Sequence, residues 1–343
     1  MIKSRAPLSG LLVATVLGAA AAMMPLVSSA QAADITGAGS SFAAPIYGAW
    51  GTGARSQAGI AVNYQSVGSS AGQDQVIART VDFGASDKPM SGERLAKEKL
   101  YQFPTVMSGI VVVANVPGVA PGQLRLDGPT LAALYDGEIT TWDDDRIKAL
   151  NPGLTLPDTD VAPVHRADGS GTSFVFTSYL SQVSPGWKQK LGAGTSIAWP
   201  GGAGARGNDG IAAMVRQTEG GIGYVEYSYA AQNHLNIAQM KNHSGAFIAP
   251  TLASFAEAAK AADWAHADHY AVNLLDTEGA GSWPIVTATF VLVPVDAAGK
   301  ESGKAVRDFF AWGFQHGDAD NTRLDYVGLP QGVKTDILAN WPR

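Results

Sequence analysis

The sequence predicts an α/β protein built as two layered lobes, and three observations carry that expectation. Short apolar β-type runs alternate with helical patterns along the chain, which indicates α/β layers around a mostly parallel sheet. The length, 343 residues, suggests more than one core. The hydrophobic fraction of 46% is enough to fill those cores. There is no tandem repeat and no low-complexity linker to suggest another architecture.

The elements follow in order. Residues 1–32 are expected to be a cleaved secretory signal: Lys3 and Arg5 form a charged start, Leu11 to Leu26 is apolar, and Ala30-Gln31-Ala32 fits the small-x-small cleavage rule. IAVNYQSV (60–67) reads as a strand and AGQDQVIAR (71–79) as a helix. GIVVVANV (109–116) is a β-branched apolar run, and GPTLAALY (128–135) is helical. DVAPVHR (160–166) and GIGYVEY (221–227) read as strands that flank helices at 171–181 and 208–217. ASFAEAAKAA (253–262) is helical, IVTATFVLVP (285–294) is a strand, and AVRDFFAWGFQH (305–316) is a helix whose Phe309, Phe310, Trp312 and Phe314 read as core. The β-rich runs 105–116 and 285–294 are candidates for strands that cross between lobes. The lobes would then be 33–106 plus 292–343, and 107–291. Periodicity alone does not establish that pairing.

Composition excludes several function classes. With 24 basic against 30 acidic residues the formal charge is −6, which argues against nucleic acid or anionic membrane as a general partner. The chain has no cysteine, so it has no disulfide, no thiolate zinc site and no cysteine for a lipid anchor. After the signal no run of about 18 uncharged apolar residues occurs, so no membrane span is expected. The expected address is the periplasm or the medium, as a free monomer.

One local device recurs three times. ITGAGSSFAAPIYGAW (35–50), YQSVGSSAGQDQVIAR (64–79) and HRADGSGTSFVFTSYL (165–180) each place glycine and small hydroxyl residues directly before a helical pattern. A helix start carries partial positive charge and unpaired N–H donors, and glycine lets an anion approach the backbone. A single copy is ordinary helix capping. Three copies beside Arg166, whose planar fork suits a tetrahedral oxyanion, point to an anion cradle. Asp168, two residues on, is placed to brace Arg166. Asp87, in TVDFGASDKPM (80–90), is unusual there because a carboxylate repels an anion. It makes sense for an anion that carries a proton: HPO₄²⁻ can donate to Asp87, whereas sulfate cannot.

ITGAGSSF, YQSVGSSAG, DFGASD and RADGSGTSFVF resemble the phosphate-binding protein family of phosphate-specific ABC transporters, and LDGPTLAALYDGEITTWDD, LNPGLTLP, GNDGIAAMV and GIGYVEYSYA extend the resemblance across nearly the whole chain. The resemblance implies a bilobed periplasmic solute-binding fold whose lobes are joined by crossing hinge strands. It also implies phosphate contacts at Ser41, Phe42 (through its backbone N–H), Ser69, Asp87, Arg166, Ser170, Gly171 and Thr172, with Asp168 pairing the arginine. The family commonly has Thr at the position of Ser41, so the hydroxyl is kept. The implied partners are a membrane permease and its ATPase. No cofactor, metal or catalysis is required.

Other motifs weigh less. GGAGARGND (201–209) contains a formal G-x-G-x-x-G at Gly202, Gly204 and Gly207, with Glu226 about 20 residues on. Trp199-Pro200 fits a dinucleotide site poorly, and a flexible loop beside the cleft is expected instead. No nucleotide phosphate loop occurs, and Ser170 is not within a G-x-S-x-G elbow. His266 and His269 would share a face at helical spacing, and a solvated polar face is the expected reading. The alternatives are a binding protein for sulfate, arsenate or phosphonate, or an exported phosphatase built on the same cradle.

Overall fold

The computed structural model describes residues 33–342, so the expected signal segment lies outside the described residues. The strands are β1 (Ala33–Gly39), β2 (Ile60–Ser66), β3 (Phe83–Ser86), β4 (Leu100–Asn115), β5 (Arg125–Leu126), β6 (Ala162–Arg166), β7 (Ala203–Ala205), β8 (Gly221–Glu226), β9 (Gln239–Lys241), β10 (Phe247–Ile248), β11 (Val286–Pro294) and β12 (Val327–Gly328). One sheet of nine strands runs β2-β1-β3-β11-β4-β8-β6-β7, with β12 added against β4; β10, β9 and β5 form a second, small sheet.

The large sheet is mixed, and this corrects the expectation of a mostly parallel one. β1 is parallel to β2 and β3, and β6 is parallel to β7 and β8. Between these two parallel groups, β11 and β4 are antiparallel to each other and to β3 and β8 on their outer sides. The reason is topological. The chain leaves one parallel group along β4 and returns along β11, so the seam must run in opposite directions. The 16 residues of β4 reach across both groups, a span of about 50 Å at the usual rise per residue.

The two β-rich runs that stand far apart in sequence do pair, with Val286 opposite Gly109 and Pro294 opposite Leu100. The register shifts between Thr289 and Phe290, whose partners are Val106 and Pro104, so Thr105 is the extra residue of a bulge. Proline has no N–H for the ladder, which suits Pro104 to this position. Every residue of β11 is buried, and β4 is buried except near its ends. Burial on both faces is why these strands read as continuous apolar runs and not as alternating ones.

Aromatic packing fills each side. The helix Glu301–His316 buries Phe309, Phe310, Trp312 and Phe314 as expected. Phe310 meets the rings of Tyr47, Phe83 and Phe103 edge-on at 5.7, 5.2 and 5.2 Å. On the other side Tyr224 stacks on Phe176 with centroids 4.1 Å apart.

One local expectation is corrected, and of another, the solvated pair His266 and His269, only the helical spacing is. The segment 201–209 is not a loose loop: β7 pairs in parallel with β6, and a helix starts at Gly207. His266 and His269 do not share a helix face, because Asp268–Tyr270 is a short 3₁₀ turn in which His269 has φ 48°. His266 pairs with exposed Asp263 instead. Among the described residues no group of three or more His, Asp or Glu side chains is placed to hold a metal ion. No described helix is long and apolar enough to cross a membrane.

Candidate anion-binding site

Three strand ends deliver the three turns to one place. β1 ends at Gly39, whose φ of 145° and close approach to β3 leave no room for a side chain: a Cβ there would lie 2.0 Å from the Ala85 carbonyl oxygen. The chain then turns through Ser40, Ser41 and Phe42 into the helix Ala44–Ala58. β2 leads through Gly68, at φ 93°, into the helix Ser69–Ile77. β6 ends at Arg166 and leads into the helix Gly171–Val183, capped by Ser170.

The first turn is oriented by tyrosines. Tyr64, Tyr229 and Tyr326 donate their hydroxyls to the carbonyls of Ser40, Ser41 and Phe42 at 2.7, 2.7 and 2.6 Å. Burial raises the pKa of all three phenols, so they remain neutral donors.

The turns touch one another. Ser70 N–H donates to the Gly169 carbonyl at 2.9 Å, joining the second turn to the third. A Cβ on Gly171 would lie 2.3 Å from Ser69 Oγ and 2.7 Å from Asp87 Oδ2, so only glycine fits between them. Ser41, Phe42, Ser69, Asp87, Arg166, Ser170, Gly171 and Thr172 are all buried.

The polarity of the hydroxyls is specified. Ser41 Oγ accepts from the backbone N–H and the side-chain Nδ2 of Asn208, at 3.2 and 2.9 Å. Ser69 Oγ accepts from Asp87 N–H at 3.2 Å, and Ser170 Oγ from Ser173 N–H at 3.0 Å. Thr172 Oγ1 accepts from Arg166 Nη1 at 3.4 Å. Each of these four hydroxyls accepts from the protein and keeps its own O–H to donate. Ser40 differs: its Oγ donates to the Asp87 carboxylate at 2.7 and 2.6 Å and accepts from Phe42 N–H at 3.0 Å. The Phe42 N–H is thus engaged inside its own turn.

Arg166 and Asp87 set the charge. Asp168 binds one edge of the Arg166 fork, through Nε at 2.7 Å and through Nη2. This leaves the Nη1/Nη2 end of the fork for another partner. Asp168 also accepts from Gly207 N–H at 3.2 Å. Burial pushes the Asp168 carboxyl up, and the hydrogen bonds and charge of Arg166 outweigh it, so the group sits below the usual range. Asp87 is 1% exposed, and burial pushes its carboxyl up to about 6. Hydroxyl bonds from Ser40 and from Thr289 (2.7 Å), then the Arg166 charge, keep it from rising further. Thr289 stands beside the bulge, so the seam of the sheet supplies a donor to this carboxylate.

Comparisons with known proteins show the family. The PBP superfamily domain matches residues 27–315. The phosphate-binding protein PstS of Pasteurella multocida is 49% identical, over 91% of this chain and 90% of its own length. This chain belongs to the PstS phosphate-binding protein family. Solved structures share the fold at lower identity. The phosphate-binding protein of Stenotrophomonas maltophilia superposes with TM-score 0.68 at 18% identity, covering 91% of this chain and 95% of that one. An ABC-type phosphate transport receptor from Vibrio cholerae gives 0.56 at 18%, covering 86% and 100%. The PstS-family fold is bilobed and α/β, as expected from the sequence.

Within this PstS-family chain the structure adds groups that the sequence did not single out. Ser40 and Thr289 hold Asp87, Asn208 holds Ser41, and the three tyrosines hold the first turn. Glu226, reached in sequence only as a dinucleotide-motif partner, is instead fully buried behind the cradle. It accepts from Ser108 Oγ at 2.7 Å, Ser228 N–H at 3.0 Å and Tyr326 OH at 3.3 Å. Burial pushes its carboxyl up to about 7 from 4.5, opposed by Ser228, Ser108 and Tyr326. A carboxyl raised in the folded state binds its proton more tightly there. Its stabilising contribution is complete below about pH 4.5 and is lost as pH rises through about 7. Glu226→Gln should therefore flatten the pH dependence of unfolding between those limits, by about 3 kcal/mol. Thermal unfolding of both proteins across that range checks it, and parallel curves would remove Glu226 as a titrating group.

Proposed function

We propose that this chain binds inorganic phosphate as HPO₄²⁻, and H₂PO₄⁻ also, between its two lobes, and delivers it to an ABC importer. The observation that carries the reading is the set of four buried hydroxyls, Ser41, Ser69, Ser170 and Thr172, each fixed as an acceptor toward the protein and left as a donor. Together with Arg166 they replace the hydration shell that a buried dianion loses. Gly171 contributes a backbone N–H group, Phe42 contributes its own by exchanging Ser40 Oγ for the anion, Asp168 braces Arg166, and Asp87 accepts the proton of the anion. The lobes are 33–106 plus 292–343, and 107–291, hinged at the crossing strands β4 and β11, whose antiparallel pairing supports that division. Closure would exclude water from the anion.

The binding-protein reading is favoured over an exported phosphatase because, among the described residues, Ser41, Ser170 and Thr172 hydrogen-bond to no carboxylate or imidazole, and Ser40, which does sit on the Asp87 carboxylate, also holds the Phe42 N–H within its own turn. The V. cholerae structural neighbour is described as an ABC-type phosphate transport receptor, which supports a membrane permease and its ATPase as partners, and a further neighbour at 24% identity is described as a periplasmic phosphate-binding protein, which supports the periplasm as the address. Equilibrium dialysis against labelled phosphate should give one ion per chain. In the same preparation p-nitrophenyl phosphate should be hydrolysed no faster than with Arg166→Ala. Turnover lost in that variant would replace this reading with the enzyme.

A further inference from the structure

We infer that Asn208 is the residue that makes Ser41 a donor to the anion, an inference that rests on the phosphate-binding reading above. Two adjacent serines, Ser40 and Ser41, have the same chemistry and are both 1% exposed, yet only one is available to a ligand. The difference comes from their partners. Asn208 is fully buried at the start of the helix Gly207–Gln217. Its Oδ1 accepts from the backbone N–H of Glu226 at 3.0 Å. That bond fixes the orientation of the amide, since the flipped form would set two donors against each other. Nδ2 must then face Ser41, at 2.9 Å, while Asn208 N–H donates to the same oxygen at 3.2 Å. Two incoming donors occupy both lone pairs of Ser41 Oγ, so its one proton must point to a third group. The end of β8 thereby dictates the polarity of a hydroxyl in the first turn through a single amide. Tyr229 fastens the carbonyl of the same serine at 2.7 Å.

Asn208 and Tyr229 lie in the proposed 107–291 lobe, and Ser41 lies in the other. These bonds form only when the lobes meet, so Asn208 acts on affinity by holding the closed form and aiming Ser41, without touching the anion. Asn208→Asp separates this role from general damage. Aspartate still accepts from Glu226 N–H, but toward Ser41 it offers an acceptor, and the serine proton turns away from the anion.

The test is calorimetric titration of the full chain with inorganic phosphate in four proteins: unsubstituted, Asn208→Asp, Ser41→Ala and the double variant. Asn208→Asp should weaken binding roughly a hundredfold. In the Ser41→Ala background, where there is no hydroxyl to redirect, the same change should cost roughly tenfold less. An equal cost in both backgrounds would mean charge repulsion or misfolding and would overturn the inference. Asn208→Ala, which adds no charge, should weaken binding roughly tenfold alone and have little effect once Ser41 is alanine. Phosphate binding by the unsubstituted chain with unchanged affinity in both Asn208 variants would overturn the inference alone. Absence of binding by the unsubstituted chain would overturn the phosphate reading and this inference with it.

Discussion

Replacing Asp87 with asparagine is expected to let sulfate compete with phosphate. In the unsubstituted chain Asp87 is 1% exposed, with Ser40 and Thr289 donating to its carboxylate. It has acceptor capacity left and no proton to give while ionised. HPO₄²⁻ meets that requirement with its O–H. Sulfate brings only lone pairs, and two desolvated acceptors face each other. Sites of this kind discriminate by about 10⁴ or more, because the mismatched ligand leaves buried groups unpaired. An amide can donate as well as accept, so Asp87→Asn should narrow the phosphate-to-sulfate ratio by about a hundredfold or more. Arsenate keeps the proton and should follow phosphate in both proteins. The same logic gives a pH dependence. Burial raises the Asp87 carboxyl to about 6, so it is ionised above that pH and able to donate below it. Rejection of sulfate should therefore be strongest above about pH 6 and weaken as pH falls through it. Competition titrations at several pH values check both parts; an unchanged ratio in Asp87→Asn would remove the proton test from the account.

Arg166→Ala should cost about a thousandfold in phosphate affinity. Arg166 is 4% exposed and carries the full positive charge of the cradle in a chain of net charge −6. Its removal has a double effect. The anion loses the end of the guanidinium fork, and Asp168, whose side chain is 6% exposed, loses its partner and adds an uncompensated negative charge to the site. Breaking a buried charge pair by removing one member costs about 3–5 kcal/mol. Arg166→Lys should recover only part of this, because an ammonium cannot hold Asp168 with two parallel bonds and still offer a planar end to the anion. A loss below about tenfold, measured by titration with phosphate, would mean that hydroxyl and backbone donors alone hold the anion.

The parts of the site that could be read from the sequence are those where one short stretch holds the whole signal. Gly-Ser-Ser before one helix and Arg-Ala-Asp-Gly-Ser-Gly-Thr before another announce helix starts with donors, and the structure brings them together. Ser40, Thr289 and Asn208 could not be read that way, because each acts through a partner far along the chain. Thr289 reaches Asp87 across 202 positions, and Asn208 reaches Ser41 across 167. Of the adjacent serines, nothing local says which is donor to Asp87 and which to a ligand. The elements show the same division. β4 and β11 stood out as apolar β-branched runs, because they are buried on both faces. β1 (ADITGAG) and β3 (FGAS) were not recognised as strands, because glycine and alanine have little intrinsic strand preference. Their glycines serve close approach: a Cβ on Gly37 would strike the Phe83 ring at 2.1 Å. The antiparallel seam was also hidden, since alternation of elements says nothing about the direction in which a crossing strand returns.

The most direct test of the account is isothermal titration of the purified chain, stripped of bound anion, with phosphate and then with sulfate at neutral pH. The account predicts tight one-to-one binding of phosphate and no heat from sulfate. Equal binding of the two would contradict the role of Asp87, and silence with both would mean that the three turns cap their helices and hold no anion.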